Sequence, residues 1–295
     1  MRSLTSKQAD LVMLVVAFIW GSGFVVTKNA LDSLSPMQIM AYRFVAASII
    51  SAFFFRKKIK TINLDYIRSG SVMGLCLSLG FVFQTIGLQY TTAGNNAFLT
   101  STSVVMVPFV YWLTIKKRPK LNNIIAAFMM MIGIFFLTVD FENFGDLNSG
   151  DMLTLIGAVF FALHIVSTGY FVEKRDPITL STVMIFFSAI FFAVTLAFDR
   201  NMKIVTLTSL WGALYLGLFS TFICFALQTT AQKFTSASHA AIILSLESVF
   251  GSILAVFLLK EGYNPIMVIG FIIIFFSVLM AEIGEKYFER WEANV

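Results

Sequence analysis

Residues 243–259 read ILSLESVFGSILAVFLL. The run is apolar apart from its serines and one carboxylate, Glu247, in the first third. A charged side chain in hydrocarbon costs about 2.5–3.5 kcal/mol on insertion scales and is by default a candidate functional group. Extended back to Ala237, the stretch is long enough to cross a bilayer, which takes about 20 apolar residues. Entered from the Ala237 side, Glu247 lies about 15 Å deep at the helical rise, near the middle of a core of about 30 Å. A short carboxylate cannot reach water from there. Two roles remain open. Glu247 is a protonatable group or pairs with a cationic ligand, or it holds backbone or a basic side chain of another span.

Apolar runs of the same kind recur along the whole chain. Of its 295 residues, 58% are hydrophobic and 13% charged, and 33 are Phe. Soluble domains carry about 25% charged residues, so this is an all-α integral membrane protein. The first run, Leu11 to Leu31, is too long for a signal-peptide core, lacks an A-x-A cleavage site and contains Trp20, so it is expected to be a retained span. Cys76 and Cys224 both fall inside predicted spans with no metal-ligand spacing, which makes them packing residues.

Ten spans are predicted: 11–31, 37–55, 67–90, 93–115, 121–139, 152–171, 179–198, 207–231, 237–259 and 265–283. The links between them are short and marked by turn or charged residues (LSP, KKRPK, NFGDLNSGD, RDP) and leave no room for a soluble domain. Alternate links collect the positive charge. Sixteen Lys and Arg fall in the termini and even-numbered links, against three (Arg200, Lys203, Lys260) in the opposite set. The fifth link is acidic, with Asp140, Glu142, Asp146 and Asp151. By the positive-inside rule both termini are cytoplasmic, which requires an even span count and agrees with ten.

The chain also echoes itself. LVVAFIWGSGFVV (14–26) aligns with LIGAVFFALHIVS (155–167) at an offset of 141, which sets Trp20 on Phe161 and Pro36 on Pro177. FVFQTIGLQYTTAG (81–94) aligns with the segment from Ile223 to Ser238 at an offset of 144, which sets Gln84 on Gln228 and Ala93 on Ala237. The predicted organisation is a first five-helix repeat over 1–140, an outer acidic loop over 141–150, and a second five-helix repeat with a short cytoplasmic tail over 151–295. Five spans per repeat make the second enter from the opposite side. Inverted repeats are characteristic of transporters with a substrate site near the midplane between them.

The segments WGSGFVVTK (20–28), SPMQIMAYRFVAA (35–47), GLQYTTAGNNAFLTS (87–101), GDMLTLIGAVFFALHIV (150–166) and SLESVFGSILAVFLLKE (245–261) together resemble the EamA-type, ten-span members of the drug/metabolite transporter superfamily. The resemblance covers essentially the whole chain. It implies two inverted five-helix repeats around a central cavity lined mainly by spans 1, 3, 4, 6, 8 and 9, and export of small metabolites such as amino acids. One position departs from the pattern. Family members often carry Leu-Glu-Pro in span nine, and here Ser248 replaces the proline, so a weaker kink is expected.

Several residues are candidates for the cavity. Gln84 and Gln228 are repeat mates, and amides at that depth need partners from backbone, each other or a ligand; the competing reading is a helix–helix hydrogen bond. Asn95, Asn96, Thr100 and Ser103 share one face of span four, with Asn96 and Thr100 as the favoured pair. Trp20, near midplane, and Tyr111 are candidate aromatic walls. His164 stands opposite Gly23 in the repeat and is either a proton or substrate group or a packed histidine. Arg43 is expected to be structural, snorkelling to the outer interface from span two, and Lys28 to do the same from span one. His239 is expected near the cytoplasmic interface.

No HExxH, GxGD or GxSxG motif, filter-like loop or P-loop is present. Neither an intramembrane enzyme nor an ATP-driven pump fits, and no cofactor or metal is expected. The expectation is a secondary-active exporter of small polar or amphipathic metabolites in the cell membrane, working by alternating access. Its partners would be the substrate, the bilayer and protons. A flippase for a lipid-linked sugar or phospholipid-like substrate, or a metabolite importer, is the alternative.

Overall fold

The computed structural model describes residues 4–116, 118–138, 148–260 and 265–292. It is helical throughout. In chain order the long helices are α1 (Ser6–Leu31), α2 (Pro36–Phe54), α3 (Leu64–Leu88), α4 (Ala93–Ile115), α5 (Leu121–Thr138), α6 (Ser149–Val172), α7 (Pro177–Ala197), α8 (207–231), α9 (Ala237–Leu259) and α10 (Met267–Glu292). Eight of them are long and apolar enough to cross a membrane. The other two, α5 and α10, have shorter apolar stretches, Leu121–Phe136 and Met267–Ala281, and pack along each other. Most of the predicted acidic loop (residues 141–147) lies outside the described residues.

Local chemistry fixes the helix starts. Capping boxes open α1 (Thr5 with Gln8), α2 (Ser35 with Gln38) and α6 (Asn148 with Asp151). Proline opens α2 and α7 behind the caps Ser35 and Asp176, where its missing N–H leaves nothing unpaired.

Three helices are irregular inside the bundle. In α4 the helix stops at Ser101 and restarts at Ser103. In α9 it stops at Leu244 and restarts at Glu247, then loosens into a π-turn over Ala255–Leu259. In α8 a π-helical stretch occupies Leu216–Ile223. Span nine is interrupted even without a proline: the helix breaks between Leu244 and Glu247, with Leu246 N bonded to Ile243 O and Ser248 N to Ser245 O, both at 3.1 Å. Ser248 Oγ donates to Ala97 O at 2.9 Å and also bonds Ser101 Oγ, which ties the break in α9 to the break in α4.

Apolar packing forms three buried clusters: two large ones with a seam between them, and a smaller one around Met13, Cys224 and Leu244 that joins α1 and α8 to α9. One buried cluster draws chiefly on α1, α2, α3, α7 and α8, with Phe44, Phe81, Phe192 and Phe225 at its centre. A second draws on α4, α5, α6, α9 and α10. Helices approach closely across the seam where α3 meets α6, with a methyl on Gly87 only 2.5 Å from Thr154 Oγ1, and where α1 crosses α9. A methyl on Gly21 would sit 2.7 Å from Phe250 Cβ and 2.8 Å from both Glu247 O and Gly251 N.

The two ends of the bundle differ in charge. One end gathers the basic links. Arg175 holds Asp65 through two bonds of 2.6 and 2.7 Å, Lys58 pairs with Asp176 at 2.9 Å, Lys233 caps Arg175 O at 3.2 Å, and His239 faces Asp10 at 3.2 Å. The other end joins the link after α1 to the link after α7. There Ser35 bonds Asp199, and Lys203 donates to Leu31 O at 2.8 Å. Lys28 donates to Leu88 O and Thr91 O at 2.9 and 2.7 Å, which caps α3.

Candidate functional site

The seam holds a cavity with about 770 Å³ of empty space, open solvent at its mouth included. Its walls come from α1, α2, α3, α4, α6, α8 and α9. Aromatic rings form one side. Phe81 meets Phe161 and Phe225 edge-on at 5.2 and 6.3 Å, and Trp20 lies against Phe225 at 5.4 Å.

The charged groups on this wall come from α2 and α9. Arg43 is 3% exposed, so the expectation that it snorkels to the interface is corrected. It turns inward because α8 offers it partners. Its Nε donates to Thr221 Oγ1, and its Nη2 donates to Ser220 O and Ser220 Oγ at 3.3 and 3.2 Å. Both acceptors lie in the π-helical stretch of α8, and Trp20 Nε1 donates to the same Ser220 carbonyl at 2.8 Å. Such π-turns are frequent at functional sites. The α2 backbone reaches α8 there because residue 217 is glycine; a methyl on it would sit 2.9 Å from Arg43 O. The guanidinium stacks over Phe81 at 4.3 Å, a cation–π contact.

Glu247 also faces the cavity, at the restart of α9. Among the described residues its carboxylate has no hydrogen-bond or ion-pair partner; Arg43 influences it through space but does not touch it. An acidic and a basic group therefore share a largely apolar cavity and act on each other through space without a direct bond.

A neutral polar group lines the same space. Gln84 Nε2 donates to Thr100 Oγ1 at 2.9 Å, and Ser101, His164, Gln228 and Ser245 complete it. The structure thus brings Trp20, Gln84, Thr100, His164, Gln228, Arg43 and Glu247 to one cavity. Two expected wall residues are not on it. Asn96 is fully buried behind the wall, where its Nδ2 donates to Gln84 O (3.1 Å) and Thr154 Oγ1 (2.8 Å). It sits on the side of α4 that touches α6. Tyr111 lies past the break in α4, packed against the second cluster. His239, expected near an interface, is 2% exposed and held against Asp10. Sequence reasoning missed Phe81, Phe225 and Ser220. The two breaks fall at repeat-related positions, since Ser101 and Ser245, like Gln84 and Gln228, differ by 144 positions.

A bundle of apolar helices around a charged, aromatic-walled cavity is the build of a multi-pass membrane transporter. The model of the EamA-like transporter family matches this chain twice, over residues 7–139 and 148–282, and the chain belongs to that family. An uncharacterized transporter of Archaeoglobus fulgidus is 34% identical over 275 residues, 93% of this chain and 86% of that protein. The uncharacterized transporter YwfM of Bacillus subtilis is 24% identical over 96% of this chain and 97% of its own length. A crystal structure matches 97% of this chain and 100% of its own with a TM-score of 0.76 at 13% identity, a likeness of fold.

Proposed function

We propose that the protein exports small zwitterionic, amphipathic metabolites, amino acids and their relatives, across the cell membrane by alternating access. The carrying observation is the pair of cavity charges. Arg43 presents an unbonded Nη1 to a carboxylate, Glu247 presents an unpartnered carboxylate to an ammonium, and Phe81, Phe225 and Trp20 offer rings to an apolar body. Neither group is in a direct ion pair among the described residues, so a ligand carrying both complementary charges gains most from the cavity.

The reading includes ten crossings, with α5 and α10 as the shorter two, and both termini in the cytoplasm beside the basic end. It also includes inverted repeats. Two features support that arrangement. The breaks at Thr102 and Leu246 are 144 positions apart, matching the sequence offset. The bond Lys58–Asp176 at one end and the bond Ser35–Asp199 at the other exchange under the offset of 141. The same contact thus recurs at both ends between α2 and α7. The moving parts would be the two packed bodies, rocking about the cavity along the seam. Glu247 would exchange the substrate's ammonium for a proton, which couples transport to the proton gradient.

The test is counterflow of labelled amino acids in proteoliposomes at several imposed pH gradients. Glu247→Gln should weaken binding of zwitterions about tenfold or more, the value of one charged hydrogen bond, while leaving binding of simple carboxylates unchanged. Equal loss for both ligand types would refute the pairing of Glu247 with an ammonium.

A further inference from the structure

The link between α2 and α3 joins two helices that are each long and apolar enough to cross a bilayer, so it lies where the bundle leaves the hydrocarbon. With its flanking turns it reads FFFRKKIKTINLDYIR (53–68), five cations against one acid. Local bonds hold it in shape. Arg56–Ile59 forms a helical turn, opened by Lys58 N to Phe55 O at 2.8 Å and followed by Thr61 N to Lys58 O at 3.0 Å. The Phe55 ring rests on Phe222 of α8 at 5.4 Å, which fixes the link to the bundle.

Its charges fall into two sets. Lys58 turns inward to Asp176, and the one acid, Asp65, is taken by Arg175. Arg56, Lys57 and Lys60 are exposed and have no hydrogen bond or ion pair among the described residues. Arg68, one turn along α3 from Asp65, is exposed as well. The acids that could neutralise this surface are thus already engaged, and its positive charge faces outward.

The cations border exposed apolar groups. Phe53, Phe54 and Leu64 are 73, 66 and 59% exposed, at the last turn of α2 and the first of α3. The rings of Phe53 and Phe54 meet edge-on at 5.3 Å. Rings on the hydrocarbon side and cations just outside them match the two parts of a phospholipid. A choline headgroup brings its own cation, which the cluster repels. An acidic headgroup brings a phosphate with no such cation, and a guanidinium binds phosphate oxygens in pairs.

We propose that the α2–α3 link is a binding surface for acidic phospholipids, with Arg56, Lys57 and Lys60 on the headgroup and Phe53 and Phe54 against the acyl chains. Clusters of Lys and Arg beside a span attract acidic lipids in this way. The proposal is independent of the transported substrate, the direction of transport and the side on which the termini lie.

The test titrates the full-length protein in mixed micelles with phosphatidylglycerol or with phosphatidylcholine of the same chains, and follows thermal unfolding by intrinsic fluorescence. Phosphatidylglycerol should raise Tm in a saturable way and phosphatidylcholine should not. In the triple variant Arg56→Gln, Lys57→Gln, Lys60→Gln the half-saturating fraction of phosphatidylglycerol should rise about tenfold or more, while Tm in phosphatidylcholine stays as in the wild type. If the triple variant does not fold, Lys57→Gln and Lys60→Gln decide singly, each with an expected rise of about fivefold. A control, Lys116→Gln with Arg118→Gln in the link after α4, should titrate like the wild type. Equal response of the wild type to both lipids, or variants of the α2–α3 link that titrate unchanged, overturns the proposal. An equal loss in the control also overturns it, since the attraction then belongs to the whole basic end. Glycerol phosphate at matched concentration should leave Tm unmoved; a shift as large as the lipid's would make this a site for free phosphate and overturn the lipid assignment.

Discussion

The crossing of α1 over α9 makes a sharp test, because the same substitution should act with different sign at different glycines. At Gly21 a methyl would meet two backbone atoms at 2.8 Å, about 0.6 Å inside the 3.4 Å lower edge of ordinary contact. Backbone cannot rotate away, so the helices must separate. Overpacking of this kind costs about 1–3 kcal/mol. The higher helix propensity of alanine offsets at most about 1 kcal/mol, and less here, since spanning helices keep much of their helicity when tertiary packing is lost. The net for Gly21→Ala is a loss of about 1–2 kcal/mol, or about 2–6 °C in Tm on the scaling for large domains. Gly212 and Gly169 are the controls. A methyl there finds its nearest neighbour at 3.7 Å (Val26 Cγ1) and 3.4 Å (Ala237 Cβ). Gly212→Ala and Gly169→Ala should be neutral or raise Tm by about 1–3 °C. Thermal unfolding in one detergent, followed by intrinsic fluorescence, compares all three. Because Glu247 O is one of the atoms met, Gly21→Ala should also depress transport. A Gly21→Ala protein as stable as the wild type, with transport intact, would refute the close crossing on which the cavity wall depends.

Three further outcomes follow from the same geometry. Arg43→Gln should lower both Tm and transport, since it removes the guanidinium that holds Ser220 and Thr221 and leaves Glu247 without a counter-charge in the cavity; unchanged thermal stability would mean those bonds contribute nothing. Asn96→Ala should lower Tm by about 2–9 °C for a lost buried hydrogen-bond set worth about 1–3 kcal/mol, yet leave the affinity of any bound substrate unaltered, because Asn96 stands behind the wall; a changed affinity in calorimetry would put it back on the cavity. Asp176 gives a pH dependence. Partial burial pushes its carboxyl up, but Lys58 and the Thr179 donors outweigh this and hold it below the usual carboxylate range. A lowered folded value means stability is present above the unfolded value and lost as pH falls through the folded one. Stability, read as Tm, should therefore decline below about pH 4, the loss in free energy being no more than about 1 kcal/mol for so exposed a pair. In Asp176→Asn this part of the decline should vanish; an unchanged acid limb would exclude the pair as a cause.

Much of the bundle was legible because the bilayer leaves few options. Helix positions followed from apolar run lengths, and the helix starts from short signals such as Ser35-Pro36 and Asp176-Pro177. The convergence of Gln84 with Gln228 was legible from the repeat offset alone. Arg43 was not, because its direction is decided by a π-turn some 177 residues later in the chain, and no local pattern announces a π-turn. Asn96 and Thr100 illustrate the limit of helical periodicity. They lie four residues apart on one face, yet the cavity edge falls between them, with Thr100 on the wall and Asn96 against Thr154. Tyr111 was misplaced because the break at Thr102 changes the path of the rest of α4.

The long reach of Arg43 also has a consequence in time. Its partners, Ser220 and Thr221, are made 177 and 178 residues after it. At about 5–20 residues per second of synthesis, α2 waits some 10–35 s in or beside the membrane with a bare guanidinium before α8 arrives. During that interval the nascent chain exposes to lipid the cation it will later enclose. Insertion machinery, anionic headgroups or a stalled, partly inserted α2 must shelter it until then. A ribosome that halts before Ser220 leaves behind a chain whose Arg43 lacks the acceptors that α8 provides in the finished fold.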